Sequence, residues 1–150
     1  MALDTVRFLG ILLAALALVP AAAHLMELPN KTQLSGADYL VVQQLYRGWA
    51  FAGIVVIGAL LSTLLLAFMV RSQPRAFVLT VVAVLCIVGT QVTFWMFTYP
   101  VNRETMNWTM LLANWAELRA RWEYSHAASA VLNLIALVAL ILSVLVKEET

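Results

Sequence analysis

The chain contains two histidines, and each has a glutamate three residues away: His24-Leu25-Met26-Glu27 and Glu123-Tyr124-Ser125-His126. Positions i and i+3 lie on one side of a helix, so each pair can project together. Imidazoles and carboxylates in one place support three kinds of chemistry. His24, His126, Glu27 and Glu123 could hold a single metal ion such as iron or copper, since imidazole suits Zn, Cu and Fe and carboxylates widen the choice towards Fe and Mn. The two imidazoles could instead be axial ligands of a b-type haem, or one could serve alone. The same residues could also move protons without any cofactor. The Glu-x-x-His spacing occurs in di-iron carboxylate bundles, which take further glutamates from other helices. Residues 49–70 and 76–97 contain no glutamate, so a dinuclear centre is not expected. A purely structural His–Glu–Arg network accounts for these residues as well, and on the sequence the alternatives stay open.

The elements that position these groups are membrane spans. Of 150 residues, 63% are hydrophobic and 11% charged, against roughly 45–50% and 25% in soluble domains. A soluble domain of this length buries only about 70% of the surface its unfolded chain exposes, too little to hide so much apolar area. That excludes a soluble globular domain and a disordered chain. Cys86 is the one cysteine, which excludes an internal disulfide framework. A net charge of +1 gives no electrostatic case for nucleic acid. Four apolar runs, residues 8–26, 49–70, 76–97 and 127–146, approach the 20 or so residues that cross a bilayer. Without two-residue alternation they read as helices rather than barrel strands. The expected fold is all-α: one integral membrane four-helix bundle over residues 1–150, with a long or kinked last helix extending beyond the bilayer. Arg7, an apolar stretch and Ala21-Ala22-Ala23 also resemble a signal peptide. Cleavage after Ala23 would make His24 an N-terminal copper ligand, but the expectation is a retained first span.

The connections are unequal. Residues 71–75 make a tight turn, and both termini fall on that face, whereas residues 27–48 and 98–125 form long segments on the other face, with both histidines at its edge. Arg7, Arg71, Arg75 and Lys147 flank the spans closely on the tight-turn face. The positive-inside rule then puts both termini in the cytoplasm and the elaborate face outside. Spans one and four run in opposite directions, so the reversed order of the two motifs sets both His at one depth and both Glu at another. The expectation is that the rings face each other inside the bundle, within about 12 Å of one another. A shared haem iron would separate their nitrogens by about 4 Å, given metal–imidazole bonds near 2 Å.

Further polar and aromatic groups belong to the same face. Arg47 and Arg119 could neutralise the carboxylates or bind a cofactor or acidic substrate. Trp49, Gln91, Trp95, Trp115, Trp122 and Asn133 could line a site for a flat aromatic molecule; an aromatic belt explains the tryptophans equally well. Residues 105–125 lack Gly and Pro and carry apolar residues at helical spacing, so a helix is expected there, with Trp108, Trp115 and Trp122 on one side. Pro100 is expected to end the third helix. No phosphate loop, dinucleotide fingerprint or cysteine-based metal pattern is present.

The run His24-Leu25-Met26-Glu27-Leu28-Pro29-Asn30-Lys31, the segment Gln43-Gln44-Leu45-Tyr46-Arg47-Gly48-Trp49, the triplet Pro100-Val101-Asn102 and the set Trp115, Arg119, Trp122, Glu123 and His126 resemble a family of small bacterial four-span membrane proteins of unknown function. That family is akin to the anthrone oxygenases. The resemblance implies a four-helix membrane bundle and oxidation of a hydrophobic aromatic or quinol-type substrate, entering from the lipid bilayer. The rival from another class is a non-catalytic haem- or metal-binding or accessory subunit of a larger membrane complex, and self-association is open under either reading.

Overall fold

The computed structural model describes residues 1–147 and is all-α, with no strand among the described residues. Four helices are long and apolar enough to cross a membrane. They are α1 (Ala2–Lys31), α3 (Ala52–Met69) with a 3₁₀ turn before it (Trp49–Phe51), α4 (Pro74–Thr93) continued to Glu104, and α6 (Trp115–Leu145). A short helix, α2 (Gly36–Gln43), and a 3₁₀ turn (Gln44–Tyr46) lie between α1 and α3. In hydrocarbon every backbone group must find its partner within the segment, which leaves helices as the solution for an open chain.

The bundle closes as a ring in which α1 packs on α3 and α6, and α4 on α3 and α6. Small residues make the close approaches. Along α1 the buried positions are Gly10, Ala14, Ala17, Ala21, His24 and Lys31, a heptad-like stripe. Along α4 they are Ala76, Thr80, Ala83, Ile87 and Thr90. Such seams let helix backbones pack by dispersion where lipid supplies no hydrophobic driving force. Thr63 and Thr80 hide their hydroxyls by donating to the carbonyls of Ala59 and Ala76, four residues back. Outward, Phe8, Leu16, Val19, Ile54, Leu61, Phe68 and Leu85 are exposed, as a lipid-facing surface requires.

The ends sort as the connection lengths imply. Arg7 donates to Gln73 and Arg75 to the Lys147 carbonyl, which ties the N-terminal turn, the α3–α4 turn and the chain's far end together. The opposite end carries a second apolar cluster of Tyr39, Val101, Trp108, Leu118 and Trp122. α6 has 31 residues, about 46 Å at 1.5 Å per residue, against a hydrocarbon core of about 30 Å. The excess carries Trp115 to Glu123 into this cap.

Three expectations are corrected. The first span does not stop near residue 26: α1 runs through Pro29 to Lys31. The third does not end at Pro100: a π-helical segment, Phe94–Thr98, leads into α5 (Tyr99–Glu104), with Pro100 in its first turn. Proline has no N–H to give the carbonyl four residues back. That carbonyl, on Met96, accepts from Arg121 Nη2 at 2.8 Å instead. Finally, residues 105–114 are not helical. Met106, Asn107 and Trp108 adopt left-handed φ of 49°, 55° and 58°, so α6 starts only at Trp115. Trp108 therefore does not share a helix face with Trp115 and Trp122, although the turn brings its ring to 6.3 Å from that of Trp122.

Candidate functional site

The buried stripe of α1 ends in polar residues. His24, Glu27 and Lys31 stand at i, i+3 and i+7 and share one side of the helix. α6 runs antiparallel and presents Trp122, Glu123 and His126 to it. The two imidazoles meet with ring centroids 4.3 Å apart and planes at 33°. They are on facing helices and well within the expected separation. Trp122 closes one side, its ring 4.2 Å from His126 and 4.9 Å from His24.

Lys31, which the sequence analysis named only as the last residue of the run from His24, is the hub. It is 3% exposed. Its Nζ lies 2.9 Å from Glu123 Oε2, 3.1 Å from His24 Nδ1 and 3.4 Å from Glu27 Oε2. It also sits over the Tyr46 and Trp122 rings, at 5.0 and 5.4 Å, where the π faces favour a cation. Glu123 is fully buried, and its other oxygen accepts from the Tyr39 hydroxyl at 2.8 Å. The Tyr46 hydroxyl donates to Glu27. Burial pushes both phenols above their ordinary range, and the carboxylate each one serves adds to the shift; beside Tyr39, Arg119 opposes it. Both tyrosines therefore remain donors at physiological pH.

Two cavities meet at the histidine pair. One, of about 470 Å³, faces the cap and is lined by His24, Gln43, Tyr46, Arg47, Asn102, Trp108, Trp122 and His126 among others. The other, of about 390 Å³, lies deeper between α1, α3, α4 and α6 and is lined by Pro20, Trp49, Gly53, Val56, Gln91, Trp95 and Asn133, again with both histidines. Trp95 and Trp49 at its edge are 59% and 41% exposed, so its rim faces the lipid side of the bundle. His126 Nε2 is buried and has no hydrogen-bond partner; the same holds for Gln43 Nε2 and Trp108 Nε1 at the upper cavity.

The other expected site residues divide. Trp49, Gln91, Trp95 and Asn133 line the deep cavity and Trp122 the upper one. Arg47 lines the upper cavity while donating to Gln44. Trp115 lines neither: it packs against Tyr39 and lies under the Arg119 guanidinium at 4.6 Å. Arg119 is a clamp on the end of α1, donating to the carbonyls of Lys31 and Leu34 at 3.2 and 2.9 Å. The Lys31 carbonyl ends α1, where carbonyls lack intrahelical partners, and Leu34 lies in the turn that follows.

The residues as placed do not fit a haem iron shared by the two histidines. Axial imidazoles meet the metal end-on, which would put their centroids about 6 Å apart given iron–nitrogen bonds near 2 Å. These rings lie partly face to face at 4.3 Å, which leaves no room for a porphyrin plane. A single ion among His24, Glu27 and Glu123 would need the place the Lys31 ammonium takes. Among the described residues no group of three or more His, Cys, Asp or Glu is arranged to hold a metal. What the arrangement can do is transfer protons between an apolar cavity and a polar one. Compared with protein-family models, curated proteins and solved structures, the chain matches none.

Proposed function

We propose that this protein is a membrane oxidoreductase that uses its histidine pair as a base on a lipid-soluble aromatic substrate, in the manner of an anthrone oxygenase and without a bound cofactor. The substrate enters the deep cavity past Trp95 and Trp49, with its reactive head at the neck. His126 takes an acidic C–H or O–H proton. For a methylene between two aromatic rings, the carbanion so formed gives electrons to dioxygen and a carbon–oxygen bond forms. Loss of the second C–H hydrogen and cleavage of the O–O bond release water. One methylene and one dioxygen become one carbonyl and one water. The network through Lys31, Glu27 and Glu123 holds the charge on the pair while His126 returns that proton to the peroxide oxygen, so that both methylene hydrogens leave in the water.

The observation that supports this reading best is His126 Nε2, buried without a partner at the neck where both cavities meet. A buried polar atom left unbonded costs about 1–3 kcal/mol, and it is a fitting acceptor for a substrate proton. The family resemblance favours a bacterial inner membrane, and the basic flanks Arg7, Arg71, Arg75 and Lys147 support cytoplasmic termini with the site outward. The test is oxygen uptake and quinone absorbance on adding anthrone or a hydroquinone to detergent-purified protein. Wild type should consume one dioxygen per carbonyl formed from anthrone, and His126→Ala should lose most of the rate, about a hundredfold. Undiminished turnover in His126→Ala sinks the base assignment. A Soret band or stoichiometric iron or copper would replace the reading with the haem- or metal-binding one.

A further inference from the structure

We propose that Lys31 is a positioning residue that sets the polarity of the pair: it holds His24 as the hydrogen-bond donor and leaves His126 as the proton acceptor. A lysine ammonium has three N–H donors and no acceptor. Three acceptors surround this one: Glu123 Oε2 at 2.9 Å, His24 Nδ1 at 3.1 Å and Glu27 Oε2 at 3.4 Å. Two carboxylates beside one amine hold it as the cation. An ammonium cannot donate to an N–H, so His24 Nδ1 carries a lone pair. A neutral imidazole has one donor and one acceptor nitrogen, which puts the His24 proton on Nε2. The carboxylates are themselves held, Glu123 by Tyr39 and Glu27 by Tyr46, and Arg119 fixes the Lys31 carbonyl. The lysine thus has acceptors on three sides, with His24 Nδ1 the one it hydrogen-bonds. His126, its ring tilted 33° against that of His24 and its Nε2 unbonded, is the member free to accept.

This polarity names the head group the neck suits: an oxygen that accepts from His24 Nε2–H, conjugated through an aromatic ring with an acidic C–H or O–H that gives its proton to His126. Phenols, hydroquinones and enolisable aryl ketones have that form; simple hydrocarbons and quaternary amines do not. The assignment of the head group rests on the oxidoreductase reading, whereas the state of His24 does not.

The experiment is side-chain ¹⁵N–¹H correlation NMR of histidine-labelled protein in detergent. Two histidines give two spin systems, and His126→Ala assigns them. The wild-type spectrum should show His24 with an unprotonated Nδ1 and a protonated Nε2. His24 protonated on Nδ1, or on both nitrogens at neutral pH, overturns the proposal, and this arm needs no Lys31 variant to fold. Lys31→Met should give a tautomer mixture at His24, and Lys31→Arg, which still donates, should keep the wild-type tautomer; an unchanged His24 in Lys31→Met also overturns it. With anthrone as probe, kcat should fall about a hundredfold in Lys31→Met and return largely in Lys31→Arg. A wild type that shows the expected His24 tautomer but oxidises no anthrone or hydroquinone defeats the proposed activity while leaving the role of Lys31 standing.

Discussion

The Lys31 ammonium lies 2.9 Å from the Glu123 carboxylate, and both side chains are sealed from solvent. The pair joins the last turn of α1 to the start of α6 and fixes the level at which His24 and His126 meet. Breaking a buried pair from one side costs about 3–5 kcal/mol, because the remaining charge is left without its counter-ion. Lys31→Met should therefore destabilise the protein by about 3 kcal/mol in detergent. Lys31→Met with Glu123→Gln should recover a large part of that, since no uncompensated charge remains. Thermal unfolding of both variants checks this, and a double variant as unstable as the single one would show that the pair's charge balance is not the source of the loss.

Alkaline stability is the second expectation. Tyr39 and Tyr46 have phenols raised above the ordinary value of about 10, chiefly by burial and then by the carboxylates they serve. A group whose folded pKa is raised contributes stability in full below its unfolded pKa, and that contribution is lost as pH rises through the folded value. The protein should therefore hold its melting temperature up to about pH 10 and lose it above. Tyr39→Phe should flatten that loss while lowering stability at neutral pH. Absorbance at 295 nm should show the two phenols titrating late, in step with unfolding; early, independent titration would contradict their burial.

Gly36 tests the cap. A β-carbon there would meet Leu111 Cδ1 at 2.9 Å and Trp115 Cε2 at 3.1 Å. Leu111 can swing away, but the Trp115 ring is held between Tyr39 and Arg119. Gly36→Ala should cost about 1–3 kcal/mol through overpacking and should loosen α2, carrying Tyr39 away from Glu123. Hydrogen exchange of the α2 amides is the direct readout, and unchanged protection would mean that the cap absorbs the methyl group freely.

Gly53 tests the deep cavity. It lines that cavity, and a β-carbon built on it meets nothing within 4 Å. Gly53→Leu should fold at least as well as wild type, gaining up to about 1 kcal/mol of helix propensity. It should also fill the route past Val56 and Trp95. Quenching of tryptophan fluorescence by a hydrophobic naphthoquinone should then weaken about tenfold. Equal quenching in the two proteins would remove this cavity as the binding place.

Topology is a further expectation. A reporter fused after Thr150, which lies outside the described residues, should read cytoplasmic, and one inserted near Gly36 should read external. The reverse pattern would turn the site to the cytoplasmic face.

Composition and apolar run length were enough to specify four spans and an all-α bundle, because lipid imposes those features on any chain of this kind, and the helical spacing before the last span announced its long helix. Antiparallel counting of the spans likewise set His24 and His126 at one level. The small-residue seam Gly10, Ala14, Ala17, Ala21, His24, Lys31 was also present in the sequence as a heptad-like spacing. It marks Lys31 as buried only if the helix passes Pro29, and a proline near a run of polar residues reads as a boundary. The left-handed turn at residues 106–108 has no glycine to announce it, so the apolar spacing there read as helix. What only the tertiary structure decided was which charge stands between the carboxylates. Glu27 and Lys31 are one turn apart on α1, but Glu123 reaches Lys31 from α6 and is itself held by Tyr39 of α2. A contact between groups 92 positions apart in the chain follows from how helices pack, which no local pattern encodes.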